Sequence, residues 1–393
     1  MAGVAPADAR DPLRRGQGRH LRKQAATGRC PEWTARARRQ TRTRGDSVNM
    51  NFLLTCVGRR TPIVTAFKDG VGGEGRVFAC DTNADAPALQ EADKSFVVPA
   101  VTDASYIDAL LSICEENRVG MVIPALEAEL PLLAVHRSRF ADIGTLPLVS
   151  AQDVIAKCND KLESARFLES CGLSAPRAFS SLKAARQALA AGEISFPLIV
   201  KPRWGVSSIG TQVVEDDEEL DLAFRLTRKQ IARSCLAEIS ATDPERSILV
   251  QELLPGCEYG LDVLNDLDGR HVCTFVKRKL RMWAGQTDRA VTVADHRLEM
   301  LGRVIGEKLG HVGLLDCDVF VAGHDAWVID LNPRMGGGYP FSHIAGANYP
   351  AALLAWAEGR EPDPRWFQIE PGVTASRCDR YIVTTTNQST PRT

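Results

Sequence analysis

The first half of the chain alternates short apolar runs with segments of helical periodicity. Strand-like runs lie at residues 51–57, 76–81, 95–99 and 119–124. Segments of helical periodicity lie at residues 61–68 and 104–117. Alternating strands and helices are typical of a parallel sheet whose ligands bind beyond the carboxyl ends of the strands. A single glycine follows the first run, without the G-x-G-x-x-G spacing of dinucleotide-binding turns. The pattern predicts a parallel α/β domain over residues 50–150 and argues against NAD binding.

A different pattern lies near the C-terminal end, where two apolar runs flank a turn-forming segment centred near His324. Oxygen-bearing side chains recur in both runs, at Asp316, Asp318, Asp330 and Asn332. A hairpin with this turn places Asp318 opposite Asp330, so that all four side chains share one face. Carboxylates this close repel one another without a counter-charge, and such oxygens are ligands for Mg²⁺. We therefore predict a metal-binding hairpin; the alternative is the solvated face of an edge hairpin.

Groups suited to phosphate precede this hairpin. The apolar run 196–202 contains Lys201 near its end, and a loop of small residues follows at 203–211. Gly and Ser in such a loop let backbone N–H groups approach anionic oxygens, and a neighbouring lysine supplies a positive charge. The segment 247–263 has the pattern of two strands joined by a Pro-Gly turn, with acidic residues at the turn. For the loop alone, a flexible hairpin turn is the alternative.

In this order the motifs resemble the ATP-grasp superfamily, over about residues 150–360. The resemblance implies two phosphate-binding lysines, a mobile glycine-rich loop, an adenine-binding hinge and a ribose-binding acid. The lysines correspond to Lys161 and Lys201, and the loop to Gly205, Ser207, Ser208 and Gly210. The hinge corresponds to Gln251, Glu252 and Leu254, and the ribose-binding acid to Glu258. The nucleotide implied by the resemblance is ATP.

The resemblance extends to the acidic hairpin. It implies Mg²⁺, or alternatively Mn²⁺, on Asp318, Asp330 and Asn332. Arg334 falls where the family has an arginine that stabilises an acyl phosphate. The family more often has Glu or Gln at the first metal position and Glu at the second, whereas this chain has Asp at both. Asp has a shorter side chain but is still an acceptable ligand.

The first half resembles the pre-ATP-grasp domain of carboxylate–amine ligases and carbamoyl-phosphate-synthase-like enzymes. The implied fold is a parallel α/β domain at 50–150 followed by an α+β ATP-grasp module at 151–383. Within the module, a mobile lid is expected at about 190–255.

Basic residues between the hinge and the acidic hairpin are candidates for substrate binding. The strand-like run 275–282 carries several of them, and a loop leading into another strand follows. A charge run is usually a solvated face, but on a strand that lines a nucleotide cleft its cations would neutralise triphosphate and carboxylate. We predict catalytic roles for Lys279 and Arg289.

Two further groups have weaker signals. Glu127 and Glu129 follow the last strand of the first domain and are candidates for holding an amine, with solvated loop acids as the alternative. The three glycines at 336–338 directly follow Arg334 and its neighbour Met335. We expect their backbone to approach a ligand, with a bare turn as the alternative.

The resemblance implies an ATP-dependent ligase that joins a carboxylate to an amine. The carboxylate attacks the γ-phosphorus to form an acyl phosphate, and the amine then displaces phosphate, so that ADP and phosphate are released. Two alternatives stay open: a carboxyphosphate- or carbamoyl-phosphate-type enzyme that uses bicarbonate, and a non-catalytic ATP-binding sensor. A single grasp module disfavours a full carbamoyl-phosphate synthase, and Arg334 disfavours a sensor.

Composition agrees with a cytoplasmic enzyme. The 393 residues are 44% hydrophobic and 25% charged, which allows a large core and two or three domains. The net charge of −1 argues against nucleic-acid and membrane-surface partners. The 11 cysteines form no C-x-x-C pair, as in a reducing compartment, and no apolar run reaches the roughly 18 residues of a membrane span. The expected partners are small-molecule carboxylate and amine substrates, and a homodimer is compatible with the sequence.

The net charge hides an asymmetry. Residues 1–49 contain eleven Arg and one Lys against four acidic residues, a net charge of +8 that leaves −9 for the remainder. With few aliphatic residues and no periodicity, this segment is expected to be disordered, as is the polar tail at 384–393. The segment is a candidate basic arm or transit peptide, and an upstream extension before a start at Met50 is the interpretation we favour.

A chain that starts at Met50 should therefore fold and function like the full chain, because the segment lacks apolar surface to add to the core. The measurement is thermal unfolding of both forms, with an expected difference in melting temperature below about 2 °C. A large loss of melting temperature or activity on truncation would show that the segment is structural.

Overall fold

The computed structural model describes residues 50–205 and 209–384. The predicted N-terminal extension, the loop residues Ser207 and Ser208, and all of the predicted tail except Thr384 lie outside the described residues. The β-strands, β1 to β15, are Asn51–Thr55, Val77–Asp81, Lys94–Val97, Val119–Pro124, Leu146–Pro147, Ala178–Phe179, Leu198–Pro202, Gln212–Val214, Ile248–Glu252, Cys257–Asn265, His271–Trp283, Gln286–Thr292, Gly313–Ala322, Asp325–Asn332 and Thr374–Ser376. The α-helices, α1 to α12, are Thr61–Val71, Tyr106–Glu116, Leu130–Val135, Arg137–Asp142, Gln152–Asn159, Lys161–Ser170, Leu182–Ala190, Asp217–Ala232, Ala237–Ser240, His296–Leu309, Tyr339–Ile344 and Tyr349–Ala357.

The first domain is built on a five-stranded parallel sheet in the order β3-β2-β1-β4-β5. Its central strand β1 is buried on both faces, since Phe52 and Leu54 join one hydrophobic core and Leu53 joins the other. This continuous apolar run is what a strand covered by helices on both sides requires. The predicted parallel α/β class is confirmed for this domain.

The second domain contains a six-stranded antiparallel sheet in the order β14-β13-β10-β11-β12-β15. One face carries apolar side chains such as Leu261, Leu315 and Cys317, which pack against α5, α6 and α10 in a single core. The other face is polar and carries the acidic hairpin of β13 and β14. Within this hairpin Asp318 pairs with Asp330 and Asp316 with Asn332, as the alternation predicted.

A smaller antiparallel sheet, in the order β6-β9-β7-β8, forms its own unit with helices α7 and α8. Its core contains Leu198, Val200 and Val250 from the strands and Leu220 and Phe224 from α8. The unit corresponds to the predicted lid, but it includes Ala178–Phe179 and so begins before the expected boundary at about 190.

The C-terminal helices pack onto the first domain. Tyr339 of α11 and Tyr349 and Leu353 of α12 share a core with Phe52 of β1 and Phe67 of α1. Burying several large side chains in one contiguous cluster stabilises the relative position of the two domains. This packing holds the carboxyl edge of the parallel sheet close to the end of the acidic hairpin.

None of the described helices is both long enough and apolar enough to cross a membrane. The ten cysteines of the described residues are all free. Cys80 and Cys317 are buried in strands, whereas Cys56 lies just beyond β1, half-buried and with a positive φ of 52°.

Candidate active site

The acidic face of the hairpin is neutralised by cations from three different elements. Lys279 Nζ of β11 lies 2.6 Å from Asp318 Oδ1, and Lys161 Nζ at the start of α6 lies 2.7 Å from Asp330 Oδ1. The third cation is the guanidinium of Arg334 just beyond β14, whose Nη1 donates to Asp316 Oδ2 over 3.0 Å. Each carboxylate of the face therefore has its own counter-charge, as the repulsion between them requires.

The two carboxylates at the predicted metal positions have different electrostatic environments. Burial raises the pKa of Asp318 to about 7, against the opposing effect of Lys279. Burial acts on Asp330 in the same direction, but Lys161 and Lys201 outweigh it and lower the pKa of this carboxyl below its usual value. Asp330 is thus the carboxylate held more firmly in its charged form.

Lys279 lies on the polar face of the six-stranded sheet, which we call the cleft face. Its side chain is 7% exposed and bridges Asp318 and Glu258, whose Oε1 lies 2.7 Å from Nζ. Glu258, predicted to bind ribose, is therefore brought to the same place as the first predicted metal ligand. Both carboxylates raise the pKa of Lys279 although burial lowers it.

Arg289 does not lie in this cluster, and its catalytic role stays a prediction. Its neighbour Ala290 is buried and pairs with Lys279, so alternation along β12 turns Arg289 to the opposite face. Arg289 is exposed and lies across from Arg281 and Ser376. A register shift lies between Lys279 and Arg281 of β11, so the alternation of side chains on β11 no longer matches that on β12. The sequence does not reveal this shift.

The two predicted phosphate lysines are brought together. Burial and the charge of Lys161 lower the pKa of Lys201 to about 7, with Asp330 opposing. Lys201 lies on β7 of the lid sheet and Lys161 at the first position of α6, so their proximity joins lid and body. Two ammonium groups that influence each other electrostatically favour a polyanion between them.

Of the predicted glycine-rich loop, Gly205 and Gly210 are among the described residues. The carbonyl of Gly210 accepts a hydrogen bond from Thr227 Oγ1 of α8 over 2.9 Å, which anchors the loop's far end to the lid.

The predicted adenine hinge lies at the end of β9. Gln251 is buried, Leu254 is half-buried, and Glu252 Oε1 accepts a hydrogen bond from the backbone N–H of Arg177 over 2.7 Å. One oxygen of Glu252 is therefore occupied by the protein itself. The following turn requires glycine, because Gly256 has φ +100° and an added Cβ would lie 2.1 Å from Val321 O.

Arg334 connects the hairpin to the first domain. Its guanidinium, 11% exposed, pairs with Glu127 of the first domain as well as with Asp316. Burial lowers the pKa of Arg334, but the charges of Glu127 and Asp316 outweigh this effect, so that the pKa is raised. A second guanidinium, that of Arg60, is close by: burial and Arg334 lower its pKa, and Glu127 acts in the opposite direction.

Glu129 differs from its neighbour Glu127. It is fully buried and accepts hydrogen bonds from Thr55 Oγ1, from Tyr106 OH and from the N–H groups of Ala125 and Leu126. All its acceptor capacity serves the fold, so the expectation that Glu129 holds an amine is wrong. Burial raises its pKa despite these donors.

The glycine run after Arg334 packs against the site's own side chains. A Cβ at Gly336 would lie 2.3–2.5 Å from the Asp316 carboxylate, and one at Gly338 would lie 3.0 Å from Lys277 Cε, whereas Gly337 faces open space. At two of the three positions the close neighbours are thus the protein's own Asp316 and Lys277, and the expected approach to a ligand stays a prediction.

Sequence reasoning missed two sets of charged residues. Arg203 pairs with Asp160 and Asp243 beside the phosphate lysines. Lys277, Asp262 and Ser342 form a buried group, with Lys277 Nζ 2.6 Å from Asp262 Oδ2. Lys277 had a signal, since it belongs to the basic run at 275–282. The partners of Arg203 are about 40 residues away in sequence and gave none.

The residues at the metal positions suit a hard divalent cation in chemistry. Asp318 and Asp330 face each other on adjacent strands, and the side-chain N–H of Asn332 donates a hydrogen bond to Asp330 Oδ2 over 3.3 Å. Within residues 50–205 and 209–384, no three His, Cys, Asp or Glu side chains are arranged as a ready metal cage. The donor set is two carboxylates and an amide, each carboxylate shared with a lysine, which fits Mg²⁺ bound together with other oxygen ligands.

Two family models match the chain. One, described as PylC-like, N-terminal domain, matches residues 52–148, and the other, described as ATP-grasp in the biosynthetic pathway with Ter operon, matches residues 244–379. The first coincides with the parallel domain and the second with the hinge, the six-stranded sheet and the acidic hairpin. The resemblance to the ATP-grasp superfamily is thereby confirmed.

The chain is similar in sequence to a formyltransferase and in fold to a ligase. A formate-dependent phosphoribosylglycinamide formyltransferase of Parasynechococcus marenigrum is 28% identical over 264 residues, which are 66% of this chain and 64% of that relative. The chain thus spans just under two thirds of this curated relative's length. In fold, an L-amino acid ligase from Bacillus licheniformis superposes with a TM-score of 0.58 at 19% identity, covering 83% of this chain and 78% of that chain.

A third similar structure is the biotin carboxylase domain dimer of Hydrogenobacter thermophilus 2-oxoglutarate carboxylase, in complex with MgADP, ADP and bicarbonate. Its TM-score is 0.61 at 13% identity, with 79% of this chain and 70% of that chain covered. These likenesses show an ATP-grasp fold over about four fifths of the chain.

The glycine run provides a sharp test of the packing around Asp316. Gly336→Ala should destabilise the protein by about 1–3 kcal/mol, because the methyl group collides with the Asp316 carboxylate and displaces Arg334. Gly337→Ala is the matched control and should be neutral, since nothing lies within 4 Å of its added Cβ. Chemical denaturation of the two variants measures the difference, and equal stabilities would contradict the described packing.

Proposed function

Because the chain joins a PylC-like N-terminal domain to the ATP-grasp fold, we propose that it is an ATP-dependent ligase that forms a C–N bond between a carboxylate and an amine. The observation that carries the proposal is the convergence of Lys161, Lys279 and Arg334 on the acidic hairpin. A cluster of three cations on three paired carboxylates is suited to a metal-bound polyphosphate and to the negative charge that develops during phosphoryl transfer.

The similar proteins support this class of reaction. One is named for a formyl transfer that depends on formate and the other for the ligation of L-amino acids, so both names describe a carboxylate donor. Formate and amino acids are accordingly the first carboxylates to consider for this chain. The acid and the amine are small molecules in this proposal.

Asp318, Asp330 and Asn332 would hold Mg²⁺, which supplies neutralisation of phosphate charge when bound. Mn²⁺ takes the same oxygen ligands and is a second candidate ion. Lys161 and Lys201 bind the phosphate chain from the body and the lid in this proposal. Glu258 and the hinge at Gln251, Glu252 and Leu254 then hold the ribose and the adenine, with the loop from Gly205 to Gly210 above the phosphates.

The chain's residues then have the following roles. The substrate carboxylate attacks the γ-phosphorus, and Arg334 and Lys279 stabilise the charge on the transferred group. Glu127 holds Arg334 from the first domain and so orients its guanidinium. The lid excludes water from the acyl phosphate until the amine displaces phosphate. No side-chain nucleophile is needed for this sequence of steps.

We also propose a reducing, cytoplasmic location, supported by the free cysteines of the described residues. A homodimer is our proposal for the assembly, supported by the dimeric state of the similar biotin carboxylase domain.

A screen for ADP release tests the function. The chain is incubated with MgATP and pairs of acids and amines: amino acids, sugar acids, formate and bicarbonate as acids, and amino acids and polyamines as amines. ADP release that requires both an organic acid and an amine supports the ligase. Release with bicarbonate alone would favour the carboxyphosphate alternative, and nucleotide binding without turnover for any pair would favour a sensor.

Asp330→Asn should abolish turnover in this screen while the protein stays folded. The change removes a ligand charge from a side chain that is 30% exposed, rather than from the packed core. ADP formation and thermal unfolding are measured side by side. Near-normal ADP formation at ordinary Mg²⁺ would show that the hairpin is not the metal site.

Arg334→Ala should leave MgATP affinity within a few-fold of the unsubstituted chain but lower kcat by roughly 10²-fold or more. An interaction that forms with the transferred group acts on the transition state, so kcat falls more than affinity. Arg334→Lys should recover activity only in part, because it keeps the charge without the planar fork. Nucleotide titration beside ADP release distinguishes the cases, and equal losses in both would mean that Arg334 only binds ATP.

A further inference from the structure

Arg203 makes an ion-pair clamp that connects the two segments bearing the phosphate lysines. Its side chain is 9% exposed, although it lies in the turn directly after β7. Nε and Nη2 donate to the two carboxylate oxygens of Asp160 over 2.8 and 2.6 Å, and Nη1 donates to Asp243 Oδ2 over 2.8 Å. The guanidinium also lies 4.4 Å from the ring centre of Trp204. All three guanidinium nitrogens are engaged, which fixes both the position and the plane of the group.

The clamp is attached to Lys161 in two ways. Asp160 is the N-cap of α6, where its Oδ1 also accepts from the N–H of Leu162 over 3.0 Å. The backbone N–H of Lys161 donates to the carbonyl of Arg203 over 3.3 Å. Arg203 therefore holds the helix start from which the Lys161 side chain projects.

The clamp is attached to Lys201 through the chain itself. Lys201 lies two residues before Arg203 on β7, and the N–H of Arg203 donates to the carbonyl of Ser247 over 2.9 Å. The third arm, Asp243, lies in the lid just before β9. One guanidinium thus ties the body at Asp160 to the lid at two points, its own strand end and Asp243.

Lys161 and Lys201 need such a connection. The two lysines lie on different units, Lys161 at the start of α6 and Lys201 on β7 of the lid sheet. Their spacing therefore depends on a connection between these two units. Arg203 provides the link while its own charge is balanced by Asp160 and Asp243.

We propose that Arg203 is a positioning residue that sets the spacing of Lys161 and Lys201 for the phosphate chain of the nucleotide. The inference rests on the proposed ATP-dependent function. Its consequence is specific: loss of the clamp should weaken the binding of phosphates and leave the binding of the adenosine part unchanged.

The test compares MgATP with adenosine, titrated onto the full chain and its variants by calorimetry. Arg203→Gln should weaken MgATP binding by roughly 10-fold or more and change adenosine binding by less than about twofold, because misplaced groups act on the phosphates alone. Arg203→Lys should recover part of the loss, since it retains one contact and the charge.

The lid offers a matched control. Arg186 also pairs bidentately with one aspartate, Asp217, and contacts a second, Asp221, but its side chain is 41% exposed on the outer surface of the lid. Arg186→Gln should leave both affinities within about twofold, because exposed pairs contribute little.

A second variant covers the case in which Arg203→Gln does not fold. Asp160→Asn keeps an N-cap side chain for α6 but removes the negative charge that pairs with Arg203. It should therefore reproduce the selective loss of MgATP affinity. Unchanged MgATP affinity in these variants would overturn the inference, as would equal losses for MgATP and adenosine with a matching fall in melting temperature. If the unsubstituted chain itself fails to bind MgATP, the proposed function is contradicted, and the positioning role with it.

Discussion

The compensation of charge on the cleft face of the six-stranded sheet is the constraint on which the site depends. Adjacent strands place carboxylates within reach of one another, and each is matched by a cation from another element: Lys279, Lys161 or Arg334. In a partly desolvated site, a carboxylate without its counter-charge is disfavoured in its charged form. The elements that supply the cations, β11, the start of α6 and the end of β14, are therefore held in place by the same pairs that form the site.

The constraint also extends across the domain boundary and into the core. Arg334 reaches Glu127 of the first domain, and the Asp316 carboxylate on its other side leaves no room for a side chain at Gly336. Beneath it, Lys277 and Asp262 are each 1% exposed and pair with one another. A buried pair of this kind is weak evidence for stability, but it fixes an arrangement, because breaking it leaves a buried charge alone. The glycine run and the first domain are in this way positioned relative to the hairpin.

How far the sequence predicts this arrangement depends on whether local periodicity decides it. The pairing of Asp318 with Asp330 was predicted, but it depends on a register shift between Asp318 and Val319, because the turn itself pairs Ala322 with Asp325. The position of Arg289 was not predicted, because a register shift in the β11–β12 pair breaks the alternation from Lys279. Glu129 lies in a short 3₁₀ turn that carries its carboxylate into the core, whereas the Glu127 carboxylate, also buried, pairs with Arg334. The contacts of Arg203 depend on tertiary folding alone.

Under the proposed function, the pairing has a consequence for how the metal and the nucleotide bind. A divalent cation that arrives alone must compete with Lys161 and Lys279 for Asp330 and Asp318, since both carboxylates already have partners within 2.7 Å. A phosphate chain offers those ammonium groups new anionic partners and so releases the carboxylates for the metal. Each ligand therefore removes the obstacle to the other, and the coupling must be equal in both directions. The same ion pairs that hold the cleft together without ligand thus favour the metal–nucleotide complex over either component by itself.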